Sequence, residues 1–465
     1  MSDITTINPA TGEEITSYSY MSDSEVNSII DASHEAFLKW REETPENRAK
    51  VIRSIGEKLV EYKEELARLM TEERGKTYTH SLQEVDLCKS ICDFTADQGI
   101  AALADDERDL EGIKKGIVTY QPIGIIYGIQ PWNYPAYQVI RYAIANLMAG
   151  NSILLKHASN VTGSGLLIEK ILHESDLPND LFRALIVSHD QSEQIIENDK
   201  VRGVTLTGSD KAGAVVAQQA AKVLKKTVME LGSNDAFIVL DDADLELAAA
   251  TCAYARLYNN GETCVAAKRF VVVDSVYDKF RELLIEKFKG YSVGDPMQES
   301  TDVGPMSSTK QRDTLQQQMQ ESIDKGAKIA YSSELDSSLS KEGAFHPLVI
   351  LENITEDQPA YKDELFGPVA SLIRAKDEED AFRIANDSRY GLGGGVFSKD
   401  ENKAIRLATK YFDTGMVYIN GYSLVHPGLP FGGVKNSGFG REHGGFGIKE
   451  FVNVKALHVV GQAPA

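Results

Sequence analysis

The clearest hydrophobic pattern of the chain lies in its first hundred residues. Apolar side chains recur there at alternating steps of three and four, at Ile52, Ile55, Leu59, Tyr62, Leu66 and Leu69. This spacing brings them to one face of a helix, because an α-helix turns once in about 3.6 residues. Residues 24–104 are therefore predicted to be mostly helical.

From residue 117 onward, short apolar runs typical of strands alternate with stretches of helical spacing. The strand candidates are residues 123–129, 152–155, 184–187, 201–207 and 236–240. Helical spacing occupies residues 211–225, and the alternation resumes over residues 269–417. Such alternation is typical of βαβ units around a parallel sheet, so the predicted fold class is α/β. A last strand-like run, residues 456–460, indicates a homo-oligomer, either dimer or tetramer, since terminal strands often dock onto a partner.

Length and charge narrow the class of protein. A chain of 465 residues is expected to form at least two packed units. Its formal net charge of −20 disfavours nucleic acids and anionic membrane surfaces as partners, since both select for basic patches. Its most apolar stretch, residues 136–148, is interrupted by Arg141, so no membrane span is expected.

The N-terminal residues and the cysteines bear on the compartment. Residues 1–4 lack the basic and apolar regions of a signal peptide. The four cysteines, which are Cys88, Cys92, Cys252 and Cys264, are too few in so long a chain to form a disulfide framework. A reducing, cytoplasmic location is the resulting expectation.

Two motifs follow strand candidates. The turn at residues 131–135 presents Asn133 at the carboxyl edge of a sheet, where α/β proteins bind ligands. Lys156 ends the next strand candidate, where its charge suits ribose hydroxyls or a phosphate. Taken alone, each motif has an ordinary alternative: a Pro-rich turn for the first and a lysine that marks a strand exit for the second.

Residues 204–213 form a third motif, in which a strand leads through Gly208 and Ser209 into a helix. Backbone N–H groups at a helix N-terminus bind anions, and the helix dipole favours negative charge there. The stretch lacks the G-x-G-x-x-G fingerprint of dinucleotide-binding proteins, so by itself it indicates only an anion site.

Glu230 and Cys264 are the candidate catalytic residues. Glu230 leaves an apolar stretch, and a carboxylate in a partly dry site has its pKa raised enough to accept protons near neutrality. Cys264 follows residues 259–263, where Asn and Gly allow the backbone to approach a ligand closely. No Cys/His spacing typical of a metal site competes for this cysteine. A surface glutamate and a small buried thiol are the ordinary alternatives.

In this order, the five segments resemble the aldehyde dehydrogenase superfamily. Further matches lie at residues 364–369, 385–392, 430–435, 437–438 and 440–442, and the likeness extends from residues 8–12 to the tail. Because so many ordered motifs do not agree by chance, the ordinary alternatives lose most of their weight.

The resemblance implies a mechanism. The thiolate of Cys264 attacks the aldehyde carbon, while the side-chain amide of Asn133 and the N–H of Cys264 hold the oxyanion. Hydride transfer to a nicotinamide leaves a thioester, which water activated by Glu230 then hydrolyses. The residues that match cofactor contacts are Trp132, Lys156, Ser159, Gly208, Ser209, Asp210, Leu231, Glu364 and Phe366.

Ser159 bears on the choice of cofactor. NAD-preferring relatives often carry Glu at this position, where it binds the adenosine ribose hydroxyls and repels a 2′-phosphate. Here the side chain is small and neutral, and Lys156 is near enough in sequence to pair with a phosphate. NADP is therefore the expected cofactor, with NAD as an alternative.

The substrate is expected to carry a distal carboxylate. The sequence is most similar to bacterial succinate-semialdehyde dehydrogenases, in which an Arg at the position of Arg141 binds that group through a bidentate pair. A second Arg of some relatives is Tyr258 here, and Tyr258, Ser423 and His426 are all candidates for the missing hydrogen bonds. The alternative for Arg141 is a surface ion pair.

Three departures from the family pattern lie near the expected site. Glu262 stands where Gln is usual, and Ser233 stands where a second Gly is common. Neither is expected to touch a catalytic atom. Ala266 stands where some relatives have a cysteine, so a neighbouring-cysteine disulfide switch is not available.

The resemblance also implies the domain organisation and leaves rival functions open. A Rossmann-type cofactor domain is expected over residues 1–100 and 121–230, an α/β catalytic domain over 231–435, and oligomerisation segments over 101–120 and 436–465. The hairpin near 101–120 is expected to pair with the C-terminal strand, and the active site to lie between the large domains. The rivals are a dehydrogenase of a neutral or amino aldehyde, a non-catalytic scaffold and a cofactor-independent cysteine hydrolase.

Overall fold

The computed structural model describes residues 4–461, which form five β-sheets surrounded by helices. The expected segments 1–100 and 436–465 reach into residues 1–3 and 462–465, which lie outside the described residues. Between residues 4 and 461, none of the helices has the length and apolar character needed to cross a membrane.

The bounds of the elements are as follows. The α-helices in the described residues are α1 Asp23–Trp40, α2 Pro45–Glu61, α3 Lys63–Arg74, α4 Tyr78–Ala102, α5 Tyr137–Ala149, α6 Thr162–His173, α7 His189–Glu197, α8 Asp210–Lys222, α9 Leu245–Leu257, α10 Asp274–Lys289, α11 Thr309–Asp324, α12 Pro359–Lys362, α13 Glu378–Asn386 and α14 Glu401–Tyr411. The strands are β1 Ile4–Ile7, β2 Glu14–Tyr18, β3 Asp106–Arg108, β4 Lys115–Pro122, β5 Ile125–Gln130, β6 Ser152–His157, β7 Phe182–Ala184, β8 Val201–Thr207, β9 Lys226–Glu230, β10 Ala236–Val239, β11 Arg269–Val273, β12 Lys328–Ser332, β13 Val349–Glu352, β14 Val369–Ala375, β15 Tyr390–Gly391, β16 Gly394–Phe397, β17 Tyr418–Ile419, β18 Val434–Lys435, β19 Gly438–Phe439 and β20 Val452–Val459. Short 3-10 helices cover Ser159–Val161, Tyr258–Gly261 and Gly447–Lys449.

The helical prediction for residues 24–104 is confirmed, because α1 to α4 fill most of this range. Helix α2 begins at the N-cap Thr44, whose side chain accepts a hydrogen bond from Asn47 N, and Pro45 occupies its first position, where no N–H is needed. The apolar pattern nevertheless spans two helices. Tyr62, with a φ of −92° and a ψ of 9°, separates α2 from α3.

The first large sheet, called the first sheet below, has the strand order β19-β9-β8-β5-β6-β7. Strands β5 to β9 run parallel, and β19 is antiparallel to β9. The chain moves outward from β5 to β6 and β7, then crosses back to β8 and β9. The topological switch point therefore lies between β5 and β8, where ligands bind in such sheets. The predicted α/β class is confirmed.

One strand prediction is wrong. Strand β7 covers Phe182–Ala184, whereas residues 184–187 were expected. It is an edge strand paired with β6 alone, and its register ends where Ala184 lies opposite Leu155. The chain then leaves the sheet, and the carbonyl of Ile186 accepts a hydrogen bond of 2.9 Å from Met21 N instead.

The second large sheet, called the second sheet below, has the order β12-β13-β14-β11-β10-β16-β17. All of its strands run parallel except β12. The fifth strand candidate, residues 236–240, corresponds to β10 in this sheet. The loops that follow or precede its strands meet the first sheet at one cleft, which holds the candidate site.

A small sheet of order β20-β4-β3 stands apart from the two large ones. Strand β20 pairs antiparallel with β4 along its whole length, from Val452 opposite Pro122 to Val459 opposite Lys115. Its side chains are largely exposed, Val454 by 59%. Within the described part of the chain, the other edge of β20 has no strand partner.

Candidate active site

A cleft opens where the carboxyl end of the first sheet meets loops of the second sheet. The loops after β5, β8 and β9 reach it together, because the carboxyl ends of parallel strands meet at one edge. The segments before β11 and β14 reach it from the opposite side. Its lining consists of Pro131, Trp132, Asn133, Thr207, Gly208, Ser209, Leu231, Gly232, Cys264, Gln311, Glu364 and Phe366. Two predicted catalytic residues and six predicted cofactor contacts therefore line one cleft.

The turn before Cys264 is left-handed over three consecutive residues. Asn259, Asn260 and Gly261 have φ values of 55°, 60° and 73°, a region that Asn adopts more readily than most side chains and Gly adopts without strain. A Cβ on Gly261 would lie 2.5 Å from a neighbouring carbonyl carbon, so a larger residue does not fit. Asn260 Nδ2 donates to the carbonyls of Gly75 and Pro305 at 2.9 and 2.8 Å, which anchors the turn.

Cys264 is half-buried, whereas the other three cysteines are fully buried. Burial raises the pKa of its thiol to about 12, and the nearby cations Lys268 and Arg141 oppose that effect. Lys268 Nζ donates to the carbonyls of Thr263 and Cys264 at 3.1 and 2.5 Å and lies 3.2 Å from Glu364. Sequence reasoning missed this lysine, although it stands only four residues after Cys264.

Asn133 is held by residues 259–262, which are called the nucleophile turn below because they precede the proposed nucleophile Cys264. Its Nδ2 donates to the carbonyl of Glu262 at 3.3 Å, and its own carbonyl accepts from Asn259 Nδ2 at 3.1 Å. The expectation that Glu262 touches no catalytic atom is therefore wrong. It fails because the contact is made by the backbone carbonyl, which the identity of the side chain does not reveal.

Glu230 is the last residue of β9 and is 2% exposed. Neither of its carboxylate oxygens has a hydrogen-bond partner among the described residues. Burial raises its pKa well above the ordinary value, Arg141 opposes this, and Glu442 adds to it. A buried carboxylate without donors is a stronger base than an exposed one, as general-base chemistry requires.

Arg141 lies on α5 and is 2% exposed, so the surface ion pair is excluded. Its Nη2 donates to Thr207 Oγ1 at 2.9 Å, whereas Nε and Nη1 have no partner among the described residues. The guanidinium lies 5.3 and 4.9 Å from the ring centroids of Tyr137 and Phe431. Burial opposes its charge, but the Tyr137 phenol and two buried carboxylates raise its pKa above the ordinary value.

Two groups near Arg141 were not found from the sequence. Burial raises the pKa of Glu442 to about 7, and Arg141 opposes this. The ring of His443 is stacked on that of Tyr137 with centroids 5.9 Å apart, and its Nε2 lies 3.2 Å from the Tyr137 hydroxyl. Both residues lie in or next to a motif noted above, but no spacing relates them to α5.

The three other predicted substrate residues are not brought to Arg141. No hydrogen bond joins Tyr258, Ser423 or His426 to it in the part of the chain that the structure describes. The Tyr258 hydroxyl donates instead to a side chain of α4 at 3.2 Å. Ser423 and His426 are exposed, while the residues between them, 424–425, pack against the same apolar cluster as Cys264.

A second cleft adjoins the first and shares Trp132 with it. Lys156 and Ser159 line it, together with His189 at the start of α7. No Asp or Glu is among its described lining residues. Burial lowers the pKa of Lys156, and no ion pair of this lysine occurs among the described residues. An unpaired, half-buried ammonium in a cleft without carboxylates suits a phosphate.

Two of the predicted cofactor-binding residues, Ser209 and Asp210, make side-chain hydrogen bonds to other groups of the protein. Ser209 is the N-cap of α8, and its Oγ accepts a hydrogen bond of 3.2 Å from Ala212 N. Asp210 lies 3.4 Å from Arg389 and accepts from the Tyr390 hydroxyl at 3.2 Å. Ser209 lines the first cleft, whereas Asp210 is absent from the described linings of both clefts.

Glu364 and Phe366 face the first cleft from the second sheet. The Phe366 ring meets Trp132 edge-on at a centroid distance of 5.6 Å. A Cβ on Gly232 would lie 2.8 Å from Glu364 Oε2, so the absence of a side chain there leaves room for this carboxylate. Among residues 4–461, no group of three or more His, Cys, Asp or Glu side chains is arranged to hold a metal ion.

Residues 1–457 match the aldehyde dehydrogenase family. A succinate-semialdehyde dehydrogenase (NADP(+)) of Deinococcus radiodurans is 42% identical over 454 residues, which cover 97% of this chain and 94% of that relative. The succinate semialdehyde dehydrogenase (NAD(P)+) Sad of Escherichia coli strain K12 is 37% identical over 451 residues, 97% of this chain and 96% of that relative.

Solved structures agree with this match. The crystal structure of a succinic semialdehyde dehydrogenase from Streptococcus pyogenes in complex with NADP+ has a TM-score of 0.94 and 37% identity. The alignment covers 98% of this chain and 99% of that one. The structure of Gox0499 has a TM-score of 0.95 at 38% identity, with the same coverage.

Iodoacetamide is expected to alkylate the native protein at Cys264 and to spare the three buried cysteines. The rate constant should rise about tenfold for each pH unit between about pH 7 and 10, because the thiolate fraction grows in that proportion below the pKa. Peptide mapping by mass spectrometry at several pH values measures this, with Cys264→Ser as the control. A plateau below about pH 9 would contradict the effect of burial on the thiol.

Proposed function

This chain belongs to the aldehyde dehydrogenase family, and we propose that it oxidises succinate semialdehyde to succinate, with NADP⁺ preferred and NAD⁺ as an alternative. The family expected from the sequence motifs is confirmed. The observation that carries the choice of substrate is the buried guanidinium of Arg141, which has two nitrogens without a partner. Named relatives of the whole chain act on this aldehyde, which supports the same choice.

Arg141 would hold the distal carboxylate of the substrate. A buried guanidinium attracts a carboxylate strongly, because little water remains to screen the charges. The Tyr137 and Phe431 rings flank the guanidinium and restrict it to one position. The ring of Phe431, whose centroid lies 4.9 Å from the guanidinium, belongs to the apolar cluster against which Cys264 also packs.

The two clefts fit a dinucleotide that carries a 2′-phosphate. Lys156 and Ser159 would hold the phosphate end, since the cleft that they line contains no carboxylate among its described residues to repel it. Trp132, Gly208, Ser209, Leu231, Glu364 and Phe366 would contact the remainder in the first cleft. Asp210 would act indirectly, through its position at the start of α8. When bound, the nicotinamide accepts the hydride that the aldehyde carbon loses.

The reaction begins at Cys264. Its thiolate forms a C–S bond with the aldehyde carbon, and the electron pair of the carbonyl moves to oxygen, which gives a thiohemiacetal. The Asn133 amide and the Cys264 N–H donate to that oxyanion. When the oxyanion re-forms its C=O bond, the carbon loses hydride and a thioester remains on the Cys264 sulfur.

Glu230 completes the reaction by hydrolysing the thioester. Its carboxylate takes a proton from water as the water oxygen bonds to the thioester carbon. The C–S bond then breaks, the sulfur leaves as thiolate, and succinate is formed. The raised pKa of Glu230 makes the proton transfer more favourable.

We also propose a homo-oligomer, dimer or tetramer, in a reducing cytoplasmic compartment. The support for assembly is β20, whose exposed side chains and free edge lie on the small sheet. The support for the compartment is the set of four free thiols.

Purified protein is expected to reduce NADP⁺ in the presence of succinate semialdehyde, with kcat/KM at least about tenfold higher than with NAD⁺, since a charged hydrogen bond to the phosphate is worth about 1.5–3 kcal/mol. Absorbance of the reduced cofactor measures both rates. Cys264→Ala should abolish the signal. Equal kcat/KM values for the two cofactors, or a preference for NAD⁺, would contradict the proposed preference for NADP⁺. Absence of turnover with any aldehyde would contradict the proposed dehydrogenase function.

Glu230→Gln is expected to lower the steady-state kcat by about 10²- to 10⁴-fold, the usual contribution of a general base. One equivalent of reduced cofactor should still form rapidly, because the steps before hydrolysis do not use the carboxylate. Intact-mass spectrometry should then show an acyl adduct on Cys264. Glu57→Gln, an exposed site on α2, is the matched control. Wild-type turnover in Glu230→Gln would contradict the assignment.

Arg141→Ala is expected to raise KM for succinate semialdehyde about 10- to 100-fold, because charged hydrogen bonds to the carboxylate are lost. KM for butanal, which has no carboxylate, should change little. Steady-state kinetics with both aldehydes measure the difference, with the exposed Arg53→Ala of α2 as the control. An unchanged KM for succinate semialdehyde, with butanal an equally good substrate, would contradict the role of Arg141 in binding the carboxylate. It would favour a dehydrogenase of neutral aldehydes.

A further inference from the structure

A fully buried ion pair lies directly behind the nucleophile turn. Arg74, the last residue of α3, places its Nη2 3.1 Å from Glu262 Oε2, and neither side chain has any exposed surface. Glu262 stands two residues before Cys264, at a position where the family usually has Gln. The carboxylate that replaces the usual amide at this position is therefore paired with a cation on α3, a helix far away in the sequence.

The ion pair is connected to the backbone on both sides. Arg74 Nη2 also donates to the carbonyl of Asn259 at 3.2 Å, which is the first left-handed residue of the turn. Glu262 Oε1 accepts from Ser307 N at 3.1 Å. The pair thus ties α3, the nucleophile turn and the segment before α11 together.

Glu262 also contacts the side-chain amide of Asn133, which is the proposed donor to the oxyanion. A side-chain amide has two N–H hydrogens, and one hydrogen of Asn133 Nδ2 is committed to the carbonyl of Glu262 at 3.3 Å. That hydrogen bond orients the amide plane and leaves the second hydrogen for an oxyanion. The guanidinium of Arg74 also lies 5.6 Å from the ring centroid of Trp132, the neighbour of Asn133 in the cleft.

Stability alone does not account for such a pair. The desolvation of two buried charges offsets most of their attraction, and apolar replacements of buried ion pairs are often neutral or stabilising. Burial raises the pKa of Glu262 to about 7, with Arg74 opposing, so the carboxylate retains its charge only with help from its partner. The pair is better suited to selecting one geometry of a turn that has three left-handed residues.

We propose that Arg74 and Glu262 are positioning residues, whose ion pair holds the left-handed turn in the one register that orients the Asn133 amide toward the oxyanion and sets the exposure of Cys264. This inference rests on the proposed function, in which both groups act on an aldehyde. Loss of the pair is expected to reduce catalysis through geometry, without removing any group that contacts substrate.

The test compares Glu262→Gln, Arg74→Met and Arg74→Lys in the full chain. Glu262→Gln and Arg74→Met should lower kcat with succinate semialdehyde by about tenfold, while KM changes less than about threefold, because binding groups are untouched. Arg74→Lys, which keeps the charge, should retain kcat within about threefold of wild type. Glu352→Gln is the matched control, since it breaks the Arg281 pair of the second sheet.

A second readout does not depend on aldehyde or cofactor. Release of the turn should expose Cys264 and raise its alkylation rate by iodoacetamide about fivefold in Glu262→Gln, because a more solvated thiol ionises more readily. If the wild type oxidises no aldehyde, the proposed function fails, and this rate still tests the pair. Measurement of thermal unfolding distinguishes the lower kcat and the faster alkylation from a loss of folded protein. If Arg74→Met does not fold, Glu262→Gln still tests the proposal. Glu and Gln have nearly the same shape, so this variant is expected to fold.

Wild-type kcat and wild-type alkylation in Glu262→Gln would overturn the proposal. A lower Tm with unchanged kcat per folded molecule would overturn it as well, because the pair would then serve stability only. Failure of Arg74→Lys to retain activity, with Arg74→Met equally impaired, would contradict a role for the charge.

Discussion

Reciprocal hydrogen bonds between Asn133 and the turn before Cys264 connect the two halves of the site. Asn133 follows β5 of the first sheet, Glu262 precedes β11 of the second, and the amide of the former donates to the carbonyl of the latter at 3.3 Å. Asn259 Nδ2 returns a bond of 3.1 Å to the Asn133 carbonyl. The relative position of the Asn133 amide and Cys264 depends on this reciprocal contact, and in enzymes a displacement of about 1 Å between reacting groups is enough to impair catalysis.

Burial governs the electrostatics of the same region. It raises the pKa of the Glu230 carboxyl well above its ordinary value and that of the Cys264 thiol to about 12. Three cations oppose the effect of burial on these pKa values: Arg141 acts on both groups, Arg441 acts on Glu230, and Lys268 acts on the thiol. Because low polarity strengthens charge interactions, the proposed role of Arg141 is compatible with a net charge of −20 for the whole protein.

Much of the fold could be predicted because it is encoded locally. The apolar spacing of residues 52–69 predicts helices, and Tyr62 interrupts them only through its backbone angles. Runs such as 236–240 predict strands, since strands buried on both faces are continuously apolar. The strand prediction for residues 184–187 was wrong because β7 is an edge strand. Such a strand ends where its single neighbour, here β6, stops pairing with it, and local composition does not determine that point.

The sequence by itself determined the family, the order of strands and helices, and the identity of the residues proposed to react. Those features reside in short motifs such as residues 259–264, whose Asn and Gly permit a left-handed turn wherever the chain places it. Only the tertiary structure decided the partners: Arg74 for Glu262, and His443 and Glu442 as neighbours of the Tyr137–Arg141 pair. The physical reason is that burial and charge pairing belong to the packed whole. They arise between residues far apart in sequence, and no periodicity or spacing along the chain records which of them meet.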